Sequence, residues 1–238
     1  MTVLERNFNL SQRMTHELGR AIVCGEFDRR RSLPTEADLC EKYGISRTAV
    51  REAVKMLSAK GLISSRPRQG IRILPEEEWN IFDSDLLSWS LQGKPSLRVL
   101  KEFLQMRIAI EPEAAALGAR YRKPGRLVEV ADALMRMEAA GNNHEAALVA
   151  DIDFHIAVLY SSENRFFIRM RDFVRTALNA SIRHTNMLKA DQAAIVEEHA
   201  RVLRAMEQGD AEEAKRAMFF LIEEALGFID QAIAATRA

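Results

Sequence analysis

Two groups of side chains in this chain of 238 residues have types and spacings that could do chemistry. In the first group, Arg47, Arg51 and Lys55 recur every fourth residue, which places them on one face of a helix. A helix with such a basic front suits the major groove of duplex DNA, provided that its back is apolar and buried. Apolar residues do occupy the opposite face at helical spacing, and these are Val50, Val54 and Leu57.

The segments on either side of this basic helix predict a helix-turn-helix. Thr35 begins the preceding helix as its N-cap, with the acidic Asp38 three positions later. Gly44 provides a sharp turn between the two helices, since glycine adopts a positive φ at little cost. Ser46 caps the basic helix, and Gly61 ends it.

A β-hairpin is predicted after the basic helix. Residues 62–66 and 71–74 read as short strands, and residues 67–70 between them contain the proline and glycine of a hairpin tip. Arg66 and Arg68 would lie on this hairpin. It therefore forms a basic wing, suited to the sugar-phosphate backbone or to the minor groove.

These motifs resemble the signature of GntR-type bacterial regulators. The matching segments are L-P-T-E at 33–36, S-R-T-A-V-R-E-A-V at 46–54, and the G-L-I that precedes the basic wing. The resemblance spans about Leu10 to Leu74 and implies that Arg47 and Arg51 contact DNA. The full set of candidate DNA-binding residues is Thr35, Ser46, Arg47, Thr48, Arg51, Arg66, Arg68 and Gly70.

The chain departs from that signature at two positions. Ala37 stands where many GntR-type regulators have an arginine, so one usual phosphate or base contact is missing. Arg30 stands where they usually have a glycine, which adds positive charge near the expected DNA side.

Charge is distributed unevenly along the chain. The net charge is zero, but residues 1–74 contain 14 Lys and Arg against 8 Asp and Glu, and the remainder contains 20 against 26. A basic head on an acidic body is expected when only the head meets phosphates.

Cys24 and Cys40 fall on apolar helix positions and are expected to be buried thiols. We find no signal peptide and no apolar run of membrane-spanning length, so we expect a cytoplasmic protein with no membrane partner.

Three parts are predicted along the chain. They are a winged helix-turn-helix domain at 1–74, a linker with a short helix at 75–95, and an effector-binding and dimerisation domain at 96–238. The first helix should span about 11–27. The fold class is mainly α, because the third part reads entirely as helix and forms an antiparallel bundle large enough to hold a cavity. Its helices are expected at 96–121, 125–140, 143–161, 164–188, 192–208 and 210–235.

The second group of side chains that could do chemistry lies in the predicted bundle. Asp151 and His155 are four residues apart on one helix, so they point the same way, and His199 lies on a later helix. A carboxylate and two imidazoles that converge from two helices could bind Zn²⁺ or another divalent ion. Spacing alone leaves open the alternative that these are ordinary surface or core histidines.

The pattern around these residues resembles the FCD ligand-binding domain of the FadR subfamily. The resemblance is carried by D-x-x-x-H at 151–155, E-H-x-x-x-x-x-A-M at 198–206 and G-D-x-x-x-A at 209–214, and it covers roughly Ser96 to Ile229. It implies a metal site of one Asp and three His. The last histidine position is Leu221, which cannot coordinate a metal. Two alternatives stay open for the remaining residues: an open metal site, or direct binding of an effector by Asp151, His155 and His199.

Two further features bear on the effector. Arg107 resembles an arginine of the first FCD helix that faces the cavity, where its planar guanidinium could clamp a carboxylate. The alternative is an ion pair with Glu111 on the same helix. Trp79 and Trp89 are expected to anchor the linker, which resembles that of sugar-acid regulators, including galactonate-responsive ones, and so implies an aldonic or uronic acid. The candidate effector-binding residues are Arg107, Asp151, His155 and His199.

Together these features predict a DNA-binding transcriptional regulator, a repressor that a small organic acid such as a sugar acid releases from its operator. We expect a homodimer on near-palindromic double-stranded DNA, because one helix reads only a few base pairs and two-fold symmetry requires inverted half-sites. Two alternatives use the same Asp/His/His residues: a metal-dependent hydrolase or lyase, and a metal-sensing regulator. We assign no catalytic residue, because no nucleophile elbow, phosphate loop or acid-base pair of carboxylates accompanies them.

Overall fold

The chain folds into two compact units, residues 1–92 and 93–238. The computed structural model describes residues 9–27, 33–66, 69–91, 96–186 and 192–236, except for the side chains of 183–186. Helices dominate both units, so the expected mainly-α fold is confirmed. None of the described helices is long and apolar enough to cross a membrane.

In its described residues the first unit contains three helices, a hairpin and a short fourth helix. In chain order these are α1 (Leu10–Val23), α2 (Glu36–Tyr43), α3 (Arg47–Ala59), β1 (Ile63–Arg66), β2 (Gly70–Ile73), a 3-10 turn at Glu76–Glu78 and α4 (Ser84–Leu91). Helices α2 and α3 form the predicted helix-turn-helix. Strands β1 and β2 pair antiparallel, with Ile63 opposite Ile73, and form the predicted hairpin.

Side-chain caps begin α2 and α3 where the sequence predicts them. The Thr35 side chain accepts a hydrogen bond from the Asp38 amide at 3.2 Å, and Asp38 accepts one from the Thr35 amide at 2.9 Å. Ser46 accepts from the Ala49 amide at 3.3 Å. Each cap satisfies an amide that would otherwise be unpaired, a contribution of about 1 kcal/mol. The predicted turn between the two helices contains Gly44.

Helix α1 ends earlier than predicted. Its last residue is Val23 rather than residue 27, because Gly25 adopts a left-handed φ of 76° and the chain folds back on the last turn of the helix. The early end leaves Cys24 exposed, and Cys40 is half-buried. The expectation of two buried thiols is therefore wrong.

Gly61 serves both as the end of α3 and as a point of close approach. Its φ is 72°, and the Leu62 amide donates to the Leu57 carbonyl at 3.1 Å, so the predicted glycine termination is confirmed. A Cβ at Gly61 would lie 2.3 Å from the carbonyl oxygen of Glu78. Glycine is needed here for both reasons.

Residues 75–91, which we expected to act as a linker, pack onto the first unit. Trp89 of α4 is 1% exposed and belongs to the core formed by α1, α3 and the hairpin. Its ring lies against Gly19 of α1, where an added Cβ would approach within 2.3 Å. Trp79 donates from Nε1 to the Leu74 carbonyl at 3.0 Å. Both tryptophans therefore anchor this segment.

Ion pairs attach the same segment to the end of α3. Lys60 donates from Nζ to both carboxylate oxygens of Asp83 and to Asp85, each at 2.8 Å. Burial lowers the pKa of Lys60, but the bonds to the two aspartates outweigh it and raise the pKa. Asp83 also caps α4, since it accepts from the amides of Asp85 and Leu86 at 3.1 Å.

The second unit contains the predicted bundle. Its helices are α5 (Leu97–Tyr121), α6 (Pro124–Ala140), α7 (His144–Ser161), α8 (Arg165–Arg169), α9 (Arg171–Asn186), α10 (Gln192–Gln208) and α11 (Ala211–Ala235). The single helix predicted over 164–188 is wrong, because it divides at Met170, whose amide donates to the Phe167 carbonyl at 3.0 Å in a tighter turn. Apolar residues continue at helical spacing across the division, so periodicity does not reveal it.

Helix packing brings distant parts of the second unit together. Helix α5 packs against α7, α10 and α11, and α10 packs against α6 and α11. The interior is lined with aliphatic residues and Phe154, which is 0% exposed. Among the described residues, five helices, α5, α7, α9, α10 and α11, line one buried polar site.

Candidate functional site

The basic front of α3 is exposed and its apolar back is buried. Arg47, Thr48, Arg51 and Lys55 are exposed, and so is Ser46 at the helix start. The back packs into the core through Val50, Ala53 and Leu57, each 0% exposed. Because unpaired first-turn amides lie beside Ser46, this end of the helix suits a phosphate. Helix α3 has the two-sided character that docking in a groove requires.

Arg51 is already paired within the first unit. Its Nε donates to Glu36 Oε2 at 3.1 Å, and the two side chains are 65% and 36% exposed. An exposed pair of this kind contributes at most about 1 kcal/mol, so phosphates or bases can replace it. Sequence reasoning did not identify Glu36, although its place in the first turn of α2, beside the exposed Thr35, was an available signal.

The hairpin carries its basic residues on the exposed side. Arg66 is exposed at the end of β1, opposite Gly70 in the register, and Arg72 is exposed on β2. Arg68 lies outside the described residues. The other candidate DNA-binding residues are all exposed, and their contact with DNA stays a prediction: Thr35, Ser46, Arg47, Thr48, Arg51, Arg66 and Gly70.

The second predicted group comes together in the interior of the second unit. Asp151 and His155 lie one turn apart on α7, and His199 lies on α10. They are 6%, 2% and 3% exposed, respectively. His155 Nε2 is 3.3 Å from Asp151 Oδ1, and His199 Nε2 is 3.5 Å from the same oxygen. We call these three residues the Asp/His/His cluster.

In each imidazole of the cluster Nε2 faces Asp151, and Nδ1 contacts a second partner. His199 Nδ1 lies 2.7 Å from the Ile195 carbonyl oxygen. Because a carbonyl only accepts, this Nδ1 carries the proton, and the lone pair of the neutral ring is on Nε2. His155 Nδ1 lies 2.7 Å from Glu111 Oε2 of α5, within hydrogen-bonding distance although the ring N–H is not aligned with it. Metal-binding histidines are commonly oriented through their second nitrogen in this way.

The cluster has the donor atoms that a zinc-type ion requires. Among the described residues, Asp151 Oδ1 and His199 Nε2 are buried and have no well-directed hydrogen bond. A buried polar atom without a partner costs about 1–3 kcal/mol, so a bound cation would stabilise both. The nitrogen-oxygen separations of 3.3 and 3.5 Å are near the tetrahedral edge of about 3.3–3.4 Å for ligands about 2.0–2.1 Å from zinc. Three protein ligands would leave one position open.

The charges of the cluster are coupled. Burial raises the pKa of Asp151, but the two histidines outweigh it and hold the pKa well below its usual range. Burial also raises the pKa of Glu111, and Arg107 and His155 outweigh it and lower the pKa to about 2. For His155, burial and Arg107 lower the pKa, but the two carboxylates raise it above its ordinary value. Both carboxylates are therefore ionised at neutral pH and attract a cation.

Arg107 is bound to Glu111 on the same helix. Its Nε donates to Oε1 at 2.7 Å and its Nη2 to Oε2 at 3.1 Å, and the two side chains are 3% and 1% exposed. Of the two alternatives that the sequence left open for Arg107, the ion pair is present. Arg107 also lines the cavity beside the cluster, so a role toward an effector is compatible with the pairing.

A small cavity adjoins the cluster. Its volume is about 30 Å³, and Arg107, Leu221 and Ala225 line it together with the three cluster residues. Leu221 of α11 thus lies at the site, where the family resemblance placed the missing histidine. A volume of this size admits an ion or a water molecule, whereas pockets for organic ligands are usually above about 300 Å³.

Glu111 is a site residue that sequence reasoning missed. It was considered only as an ion-pair partner of Arg107. The available signal was the register of α5, in which Leu100, Leu104, Arg107 and Glu111 follow the spacing of one buried face. Charged residues on a buried face require partners, so a second polar group was to be expected opposite them.

A winged helix-turn-helix with an exposed basic helix, joined to a helical domain with a buried polar site, defines a transcriptional regulator that responds to a ligand. Comparison with known families agrees: residues 10–73 match the bacterial regulatory proteins of the gntR family, and residues 102–224 match the FCD domain. The chain belongs to the gntR family, and its second unit is an FCD domain. The resemblance inferred from the sequence is confirmed.

Individual relatives are regulators of the same kind. The chain is 33% identical over 213 residues to the uncharacterized HTH-type transcriptional regulator YieP of Escherichia coli strain K12, covering 88% of this chain and 90% of that one. It is 30% identical over 215 residues to the galactonate operon transcriptional repressor of the same strain, covering 90% and 94%. The chain is thus a DNA-binding transcriptional regulator and not an enzyme, and the hydrolase, lyase and metal-sensing alternatives are not favoured.

Solved structures show the same fold. The structure of Lar, which controls the expression of the Listeria monocytogenes agr system, has a TM-score of 0.58 and 19% sequence identity, and the match covers 94% of this chain and 98% of that one. The match to Streptococcus agalactiae GntR has a TM-score of 0.51 and 20% identity, and it covers 91% and 98%. At these identities the likeness concerns the fold alone.

Proposed function

We propose that the protein is an operator-binding repressor that a sugar acid releases from DNA. The observation that carries the proposal is the Asp/His/His cluster, in which Asp151 Oδ1 and His199 Nε2 are buried without a well-directed hydrogen bond beside the cationic Arg107. The similarity to the galactonate operon repressor supports an aldonic acid, as does the resemblance of the linker to those of sugar-acid regulators.

We assign a divalent ion, Zn²⁺ by its donor set, to the cluster. Asp151 and the two Nε2 atoms of His155 and His199 would hold it. When bound, such an ion supplies positive charge and an open coordination position that suits a carboxylate oxygen. Leu221 leaves this position to an outside ligand, whereas a histidine there would close it. Arg107 adds a second cation on the same cavity wall.

The size of the cavity supports a coupled response. At about 30 Å³ the space does not accept a sugar acid, so binding requires the lining helices to separate. An acid that binds the widened form better than the closed form shifts the population toward the widened form. It can change operator affinity by at most the ratio of its affinities for the two forms. On this proposal the opening of the cavity is the step that couples acid binding to operator affinity.

We also propose that the operator-bound form is a homodimer. Helix α3 alone reaches a few base pairs, so specificity requires two copies on inverted half-sites about one DNA turn apart. Full-affinity binding of a monomer to a single half-site would contradict this part.

The test is operator release by defined acids. An operator is selected in vitro from random DNA with the full-length protein, and its binding is followed by fluorescence anisotropy. Galactonate, gluconate, galacturonate and glucuronate are added in turn, with galactose as the control that lacks a carboxylate. At least one acid should weaken binding by about tenfold or more, and galactose should have no effect. If none of the four changes the operator affinity, the sugar-acid assignment is wrong.

The same assay tests whether the response to the acid depends on the bound ion. Removal of the ion with EDTA should abolish the response to the active acid without abolishing operator binding. If the response survives chelation unchanged, the metal assignment fails and direct recognition by the cluster takes its place.

A further inference from the structure

We propose that Glu111 is a positioning residue of the cluster: it orients His155 as a metal ligand and holds Arg107 on the cavity wall. The inference rests on the proposed assignment of a divalent ion to the cluster. Its basis is a chain of short contacts between buried side chains on α5 and α7.

Glu111 is 0% exposed and its carboxylate contacts two partners. Oε1 accepts from Arg107 Nε at 2.7 Å, Oε2 accepts from Arg107 Nη2 at 3.1 Å, and Oε2 also lies 2.7 Å from His155 Nδ1. An ion pair that only stabilised the helix would need Arg107 alone. The third contact connects the pair to the cluster.

The contact with Glu111 determines how His155 presents its nitrogens. An ionised carboxylate only accepts, so its position 2.7 Å from Nδ1 favours the tautomer with the proton on Nδ1 and leaves Nε2 toward Asp151, although the Nδ1–H is not aligned with Oε2. A neutral ring without this partner can place its proton on Nε2, which blocks coordination there. His199 obtains the same control from a backbone carbonyl. Within the described part of the chain, Glu111 is thus the side chain that sets a ligand nitrogen and can be tested by substitution.

Glu111 also balances the charge of Arg107. The guanidinium is buried at 3% exposed, and without a carboxylate it would repel a cation in the adjacent cluster. Removal of Glu111 therefore weakens cation binding in two ways, through the ring of His155 and through the uncompensated charge of Arg107.

The test measures Zn²⁺ binding by the full-length protein in the absence of DNA. Glu111→Gln keeps the length of the side chain and removes its charge. Glu113→Gln is the matched control, because Glu113 lies two residues further on α5, has a side chain that is 39% exposed and pairs with Lys215 at 2.8 Å. Zn²⁺ affinity is measured by competition with a chromophoric chelator, and Co²⁺ absorption reports the geometry of the site.

We expect Glu111→Gln to lower Zn²⁺ affinity by about 10- to 100-fold and to alter the Co²⁺ spectrum, while Glu113→Gln matches the wild type. Melting in EDTA establishes that each variant is folded. Wild-type Zn²⁺ affinity in a folded Glu111→Gln protein overturns the proposal, even if that protein melts at a lower temperature.

A double variant covers the case in which Glu111→Gln does not fold. Arg107→Met with Glu111→Gln removes both buried charges and still leaves His155 without its carboxylate. We expect weakened Zn²⁺ binding here too, and wild-type affinity would overturn the positioning role. If the wild-type protein binds no Zn²⁺, the inference fails as a whole. Operator release by sugar acids in the same preparation then decides separately whether the proposed repressor function stands.

Discussion

The front of α3 and the Asp/His/His cluster are assembled in opposite ways. The front is formed by consecutive turns of one helix and is exposed and positively charged. The cluster draws its residues from α7 and α10, with support from α5, and it is buried and attracts cations. Local periodicity determines the first region, whereas the packing of helices distant in sequence determines the second.

This difference predicts different consequences of substitution. An exposed arginine can be removed with little effect on folding, because it loses only a screened interaction. A residue of the cluster cannot be removed so simply, since its buried partners are left unpaired. Substitutions in α3 should change DNA affinity alone, and substitutions in the cluster should change ligand binding and stability together.

The largest effect is expected at the recognition face. Arg47→Ala and Arg51→Ala should each weaken operator binding by about 1–3 kcal/mol, or roughly 5- to 150-fold, if each arginine contacts a base. Fluorescence anisotropy on the selected operator measures the loss. Arg204→Ala, an exposed arginine of the second unit that pairs with Glu197, is the control and should bind normally. Normal operator binding by both α3 variants would show that this helix does not read the DNA.

A smaller change is expected when the missing ligand is restored. Leu221→His places an imidazole on the cavity wall, and a fourth protein ligand should raise Zn²⁺ affinity by about tenfold. The response to the acid should decline, because the open position is then filled. Leu221→Met keeps an apolar side chain of similar volume and should behave as the wild type. An unchanged Zn²⁺ affinity in the histidine variant would mean that position 221 does not face the ion.

Glycine substitutions test the stability of each unit by itself. Gly19→Ala forces a Cβ against the Trp89 ring, and Gly118→Ala forces one against Ser161 Oγ, each at 2.3 Å. Each should destabilise its own unit by about 1–3 kcal/mol. Gly227→Ala has open space around it and should be neutral or stabilising.

Thermal melting, with hydrogen exchange to locate the change, measures these effects. If Gly19→Ala left the first unit as stable as before, the packing of α4 on α1 would be wrong.

The smallest effect is expected in the wing. Arg68→Ala should weaken binding about equally on all DNA sequences and reduce the slope of log affinity against log salt by about one, as for a phosphate contact. Salt titrations on the operator and on unrelated DNA measure both quantities. A loss confined to the operator would instead assign Arg68 to base recognition.

The sequence predicts the first region well because its signals are local. Ser46, Gly44 and Gly61 mark helix ends by their own chemistry, and the basic front follows from a spacing of four residues. The early end of α1 escaped prediction, because the apolar pattern runs past Gly25, whose backbone closes the helix. The break between α8 and α9 at Met170 was not predicted either, because apolar residues continue at helical spacing across it.

The site in the bundle is only partly predictable from the sequence. Asp151 and His155 share a turn, and His199 was a candidate ligand on a later helix, although spacing cannot show that two helices meet. Glu111 could be suspected from its buried register on α5 but not connected to His155, because that contact depends on how α5 packs against α7. The cavity volume likewise has no local signature.

The central claim is that the buried cluster controls the exposed reading face. It is tested most directly by titrating the active acid into operator complexes of the wild type and of the double variant His155→Ala with His199→Ala. We expect the double variant to bind the operator with an affinity near that of the wild type and to stay bound at acid concentrations that release the wild type. Release of the double variant at the wild-type acid concentration would contradict the account.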